Sequence, residues 1–190
     1  MPAPGTRGEG TLVYVMGPSG AGKDTLMAEA KRLLPDGLVL ATRLVTRPAD
    51  GLSPDRFVSE ERLRGLIRDG RLALHWRCHG LGYGIERTID EDLREGRVVL
   101  VNGSRDYLRR ALGLYPGLSP VLVTAEPSVL KARLEKRARE DGDSILGRLL
   151  RTDGSFDLDT DGLLVIDNSR NLRGATERFL GHLKGLLAAG

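Results

Sequence analysis

Gly17-Pro18-Ser19-Gly20-Ala21-Gly22-Lys23-Asp24-Thr25 follows the apolar run Leu12-Val13-Tyr14-Val15-Met16 and leads into the helical pattern Leu26-Met27-Ala28-Glu29-Ala30. A glycine-rich turn between a strand and a helix lets successive backbone N–H groups curl around a polyphosphate. Gly17, Gly20 and Gly22 permit the curl, and the helix behind them adds the positive end of its dipole. Lys23 supplies a point charge for β- and γ-phosphates. Gly17, Pro18, Ser19, Gly20, Ala21, Gly22, Lys23, Asp24 and Thr25 are therefore candidate contacts for a nucleoside triphosphate, with Lys23 also a candidate catalytic group. The fold this predicts is α/β of the phosphate-loop kind: three layers, a parallel core sheet of about five strands, and helices on both faces.

The loop departs from the usual pattern at one position. A Ser or Thr normally follows the lysine, and its hydroxyl holds Mg²⁺. Here Asp24 stands in that place and Thr25 comes one later. Three roles are open for the carboxylate: holding magnesium directly or through water, acting on the acceptor, or favouring the helix dipole as an N-terminal acid.

Length and composition set the frame. A chain of 190 residues fits a single domain, with 40% hydrophobic residues to fill its core and only 4% aromatics, so the filling must be aliphatic. Arginine greatly outnumbers lysine under a net charge of +3, which suits phosphorylated small molecules because the guanidinium fork matches phosphate oxygens. No basic run carries interleaved aromatics, so nucleic acid is not the expected partner. One cysteine, Cys78, excludes an internal disulfide framework and fits a reducing cytoplasm. Residues 1–10 read as a frayed Pro/Gly-rich leader, and no apolar stretch approaches membrane-spanning length. The oligomeric state is open; a homodimer is compatible with the sequence.

Alternating patterns order the rest. Strands are predicted over 11–16, 38–42, 97–101, 120–125 and 162–167, and helices over 23–34, 86–95, 128–139 and 172–187. Residues 43–54 have loop character. Ser59 N-caps a helix that stops at Gly70. Leu72, Leu74 and Trp76 alternate with Ala73, His75 and Arg77 as in a strand, which Gly80, Gly82 and Gly84 then break into a turn. This segment, within about 43–85, is predicted as a small antiparallel insertion carrying the acceptor site. Asn102-Gly103-Ser104 closes a buried strand, at the edge where open α/β sheets bind ligands. Arg133, Arg137, Arg139 and Arg148 surround a polar break at 140–143, and residues 137–150 are predicted to form a helical lid that closes arginines over a transferring phosphoryl group.

The layout resembles the guanylate kinase group of phosphate-loop kinases over about residues 11–187. The resemblance rests on the Gly-Pro-Ser-Gly-x-Gly-Lys loop, Val45-Thr46-Arg47, Tyr83-Gly84, the lid arginines, and Val165-Ile166-Asp167-Asn168. It implies that Arg139 and Asn168 flank adenine, that Arg133, Arg137 and Arg148 meet the nucleotide phosphates, and that Arg47 aligns the acceptor. Guanylate kinases read guanine with a glutamate nine residues before that tyrosine; Leu74 occupies the position here and cannot accept from guanine N–H groups. They also carry a second acceptor arginine three residues after the Thr-Arg pair, where this chain has Asp50.

A closer resemblance is to the ribose 1,5-bisphosphate phosphokinase family. It is carried by the Lys23-Asp24 loop ending, by Ala73-Leu74-His75-Trp76 leading to Gly82-Tyr83-Gly84-Ile85, and by Val101-Asn102-Gly103-Ser104-Arg105. It implies ATP-dependent phosphorylation of ribose 1,5-bisphosphate to 5-phosphoribosyl 1-diphosphate, within bacterial phosphonate breakdown. For a doubly anionic sugar, Arg43, Arg47, Arg77 and Arg105 are candidate phosphate ligands, with Thr46, Tyr83, Asn102 and Ser104 as neutral partners. Trp76 either stacks on the sugar or packs under the insertion, and His75 and His79 are further possible donors. Rival readings are a guanylate kinase with an altered base site, a silent guanylate kinase-like interaction domain, and a gluconate-type sugar kinase.

Overall fold

The computed structural model describes residues 10–47, 55–78, 80–141 and 160–189; for 137–141 it describes the backbone only. Nine strands and six α-helices lie among these residues. Strand β1 (Leu12–Met16) is buried along its whole length, as a central parallel strand of aliphatic residues must be. It pairs in parallel with β7 (Val98–Asn102) on one side and β8 (Ser119–Thr124) on the other. β2 (Leu38–Leu40) lies beyond β7 and β9 (Leu164–Asp167) beyond β8, which gives the five-stranded order β2-β7-β1-β8-β9. The predicted parallel core is present, with strand ends one to two residues from expectation.

Both faces of this sheet are covered. On one, helix α1 (Lys23–Leu33) contributes Leu26, Met27 and Ala30, and the C-terminal helix α6 (Leu172–Ala189) contributes Ala175, Phe179 and Leu183, against Val13, Val15, Val121 and Ile166. On the other, Tyr14, Val99 and Val101 meet Leu108 and Ala111 of α4 (Leu108–Leu114) and Leu74, Trp76 and Ile85 from a second sheet. Each fully buried Leu, Val or Ile side chain contributes about 1.5–3 kcal/mol. α4, preceded by a 3-10 turn at Arg105–Tyr107, was not foreseen. Its periodic signal is two buried residues, Leu108 and Ala111, with Gly113 near its end.

The second sheet has the order β4-β3-β6-β5. Residues expected to be loop form β3 (Arg43–Val45) instead, antiparallel to β6 (Leu81–Glu86) and parallel to the short β4 (Arg56–Phe57). Leu44 and Val45 are buried there, so three residues suffice to anchor a strand whose polar neighbours suggested a loop. β5 (Leu72–Cys78) pairs antiparallel with β6, as the alternation predicted. Gly82 and Gly84 do not break the strand; they lie inside β6. A Cβ on Gly82 would fall 2.4 Å from Leu63 Cδ2, so the glycine lets helix α2 (Glu60–Arg68) lie close on the sheet. Ser59 caps that helix, its Oγ accepting from Arg62 N–H at 3.1 Å.

Helix α3 (Ile89–Arg94) joins the two sheets. Helix α5 (Pro127–Asp141) runs through the position predicted as a break at Glu140. Arg148 and the remainder of the predicted lid lie outside the described residues, as do His79 and residues 1–9 of the leader. No helix among the described residues is long and apolar enough to cross a membrane.

Candidate active site

The glycine-rich turn sits at the carboxyl edge of the parallel sheet, between the end of β1 and the start of α1. Gly22 occupies the N-cap in the left-handed region (φ 87°), a conformation an L side chain resists, and no side chain caps the first turn. The orphan N–H groups of α1 are thus left to an anion. Lys23 Nζ reaches back over the loop and donates to the carbonyls of Gly17 (2.9 Å) and Pro18 (3.0 Å), which holds the ammonium above the cradle. Ala21 is fully buried, Pro18, Ser19 and Gly20 are half-buried, and Thr25 is exposed.

Two residues expected at adenine or phosphate brace the loop from behind. Asn168 follows β9 and is buried. Its Nδ2 donates to Ala21 O at 2.8 Å, and its backbone N–H donates to Thr124 O at 2.8 Å. Arg133, on α5, donates from Nη2 to Asn168 O (2.8 Å) and from Nη1 to Gly20 O (3.3 Å). The Asn168 amide nitrogen thus supports the loop backbone from a buried position. The backbone of Arg137 and Arg139 continues α5.

Asp24, in the first turn of α1, faces the end of β7: Asn102 Nδ2 donates to its Oδ1 at 2.7 Å. That bond fixes the Asn102 amide, because the flipped amide would set an oxygen against a carboxylate. The carbonyl of Asn102 accepts from Arg43 Nη1 at 3.4 Å. Arg43 comes from β3 of the second sheet, so one asparagine touches both halves of the site.

Arg43 is gripped in a two-pronged pair by Asp55, Nε to Oδ1 at 3.0 Å and Nη2 to Oδ2 at 2.8 Å. The guanidinium lies 5.2 Å from the centre of the Tyr83 ring. Burial opposes its charge, but the Asp55 hydrogen bonds and charge, helped by Asp24, hold its pKa above the usual arginine value. No local sequence signal ties Asp55 to Arg43, twelve residues earlier. Burial raises the Tyr83 phenol above its ordinary pKa, against the lowering charges of Arg43 and Arg47. Arg47 follows β3 and is half-buried beside this group.

Other expected ligands are engaged elsewhere. Thr46 Oγ1 accepts from Gly82 N–H at 2.8 Å, and its hydroxyl bonds the Glu60 carboxylate. Arg77 is exposed and ion-paired with the same Glu60 at 2.5 Å, because β5 turns it away from the main sheet. Those contacts, Thr46 first and Arg77 second, lower the Glu60 pKa. Trp76 packs: it is 8% exposed, stacked on Tyr83 at 5.4 Å and tilted against Tyr107 at 5.6 Å. Ser104 is held by its backbone, whose N–H and C=O both bond the Tyr14 hydroxyl at 3.0 Å. Arg105 opens the 3-10 turn beside it. Leu74 is fully buried in the core.

A phosphate loop facing an arginine- and tyrosine-lined insertion defines the class: a phosphate-loop kinase of guanylate kinase-like fold. The guanylate kinase of Anaplasma phagocytophilum superposes with a TM-score of 0.71 over 94% of this chain and 87% of that one. At 17% identity, this is a likeness of fold. A gluconokinase from Sinorhizobium meliloti follows at a TM-score of 0.51 and 20% identity, covering 96% of each chain. No family model matches the chain. Curated relatives do. The ribose 1,5-bisphosphate phosphokinase PhnN of Azotobacter vinelandii is 44% identical over 173 residues, 90% of this chain and 94% of its own. That of Chromobacterium violaceum is 44% identical over 177 residues, 93% and 95% of the two chains. The chain belongs to the ribose 1,5-bisphosphate phosphokinase family.

Proposed function

We propose that this kinase transfers the γ-phosphoryl group of ATP to the 1-phosphate of ribose 1,5-bisphosphate, forming 5-phosphoribosyl 1-diphosphate and ADP. The observation that supports it best is the joint at Asn102, whose side chain meets the phosphate-loop acid Asp24 and whose carbonyl meets Arg43 of the insertion. Donor and acceptor halves are thereby brought edge to edge. Leu74 fits the same reading, since a buried aliphatic side chain leaves nothing at that position to pair with a purine.

The loop amides and Lys23 bind the β- and γ-phosphates, with Lys23 exchanging its loop carbonyls for phosphate oxygens. An oxygen of the sugar 1-phosphate bonds to the γ-phosphorus as the bond to the β,γ-bridging oxygen breaks, and ADP leaves. The attacking oxygen is already ionised near neutral pH, so no strong base is needed. Positioning and charge neutralisation carry the rate. Arg47 orients the acceptor phosphate, and Arg105 and Tyr83 border it. On the family resemblance, Arg137 and Arg148 are assigned to the γ-phosphoryl group and Arg139 to adenine. Asp24 is the residue that would hold Mg²⁺, a hard cation suited to a carboxylate and phosphate oxygens, and Asn102 orients that carboxylate. When bound, the ion neutralises charge shared between β- and γ-oxygens.

The test is an acceptor comparison. Purified protein with ATP and Mg²⁺ is given ribose 1,5-bisphosphate or GMP, and products are followed by phosphorus NMR. A new diphosphate signal with the sugar, and none above background with GMP, is expected. Efficient GDP formation without turnover of the sugar overturns the reading.

A further inference from the structure

Arg43 is paired with a carboxylate that is buried beside it, which sets what it can offer a ligand. Its side chain is 17% exposed and that of its partner Asp55 is 7% exposed. The carboxylate holds the Nε–Nη2 edge of the fork, so an anion reaching the remaining N–H groups meets a guanidinium charge that Asp55 partly offsets. A phosphate approaching the pair meets the nearer attraction reduced by the farther repulsion. What is not reduced is direction. The fork is held by two bonds to Asp55, by the Asn102 carbonyl and by the Tyr83 ring, so its orientation is set. A rigid donor whose charge is partly offset is suited to a neutral oxygen, for which direction matters more than charge. On ribose 1,5-bisphosphate, the neutral oxygens lie between the two anionic ends.

We infer that the Arg43–Asp55 pair reads a ring hydroxyl of the sugar, with Arg43 the specificity-determining donor and Asp55 the positioning residue that fixes its fork. The inference rests on the proposed sugar acceptor and revises the expectation that Arg43 binds a phosphate. It also assigns Asp55, which the sequence left without a role. The location agrees, because Arg43 lies where the insertion meets the carboxyl end of β7, within electrostatic reach of Asp24.

The experiment compares kcat/KM for ribose 1,5-bisphosphate with its 2-deoxy and 3-deoxy analogues. The proteins are the wild type, Arg43→Lys, Arg43→Gln, Asp55→Asn, and the double variant Arg43→Gln/Asp55→Asn. The wild type should disfavour one deoxy analogue by on the order of tenfold or more, since a site built for a hydroxyl is left with an unpaired donor. In each variant that preference should collapse. It should do so through loss on the ribose compound, with the deoxy compound nearly unchanged and ADP affinity, measured by calorimetry, reporting an intact nucleotide half. If Asp55→Asn does not fold because Arg43 is left buried without its counter-charge, the double variant, which removes both charges, carries the comparison. Equal losses on ribose and deoxyribose compounds would make Arg43 a phosphate anchor or a structural residue and overturn the inference. A wild type indifferent to both deoxy positions would overturn it as well. Absence of any sugar turnover by the wild type instead strikes the proposed function, and this inference with it.

Discussion

Asn168 Nδ2 donates to the carbonyl of Ala21 at 2.8 Å, which ties the end of the last strand to the middle of the phosphate loop across 147 positions of sequence. Arg133 doubles the brace through Asn168 O and Gly20 O. The curl of the loop is therefore held from outside as well as permitted by its glycines.

Removing that brace should loosen nucleotide binding before it harms chemistry. Asn168→Ala leaves a buried Ala21 carbonyl unpaired, at a cost of about 1–3 kcal/mol. We expect ADP affinity, measured by calorimetry, to fall about two- to tenfold if roughly half of that cost falls on the loop-ordered state. Unchanged affinity would show that Arg133 alone suffices.

Lys23→Ala should abolish transfer while sparing the fold. Loss of a charge aimed at the developing phosphoryl charge should lower kcat by roughly 10²–10³. Tm should move by no more than about 2 °C, because the lysine is only half-buried and packs against no core. Near-normal turnover in a coupled ADP-release assay would refute the phosphate-loop assignment.

Tyr14→Phe separates stability from the acceptor edge. The hydroxyl is buried, bonds both the N–H and the C=O of Ser104, and has its pKa pushed well above the usual phenol value, chiefly by burial. Its loss orphans two backbone groups, for about 1–3 kcal/mol and a fall in Tm of roughly 3–10 °C in calorimetric melts. Because Asn102 and Ser104 follow from that same strand end, kcat/KM should fall with stability, not ahead of it.

Acid should destabilise the fold partly through His182. Burial lowers its pKa below the ordinary 6.5, and its Nε2 lies 2.8 Å from Ser119 Oγ. The unfolded chain takes up the proton first, so stability is whole above about pH 6.5 and declines as pH falls through that value towards the lower folded pKa. His75, lowered by burial and then by Arg110, adds in the same direction. Melting curves from pH 7.5 to 5.5 should be shallower for His182→Gln than for the wild type; parallel curves would remove His182 from the acid response.

Local chemistry made much of this legible in sequence. A strand, a glycine-rich turn and a lysine within fifteen residues announced the phosphate loop, and Ser59 announced its helix, because each signal acts between near neighbours. The insertion was legible in outline from alternation along β5. Its glycines misled, because Gly82 serves a close approach of Leu63 that no local pattern records.

Residue type and spacing alone fixed the parallel core, the anion cradle before α1 and an acceptor module rich in arginine. Which arginine does what was decided only in three dimensions. Arg77 went to Glu60, Arg133 to the loop carbonyls, and Arg43 to Asp55 over the Tyr83 ring. The reason is that a guanidinium is charged wherever it stands. Its role depends on which carboxylate or carbonyl lies within about 3 Å, and that distance is set by the packing of elements far apart in the chain.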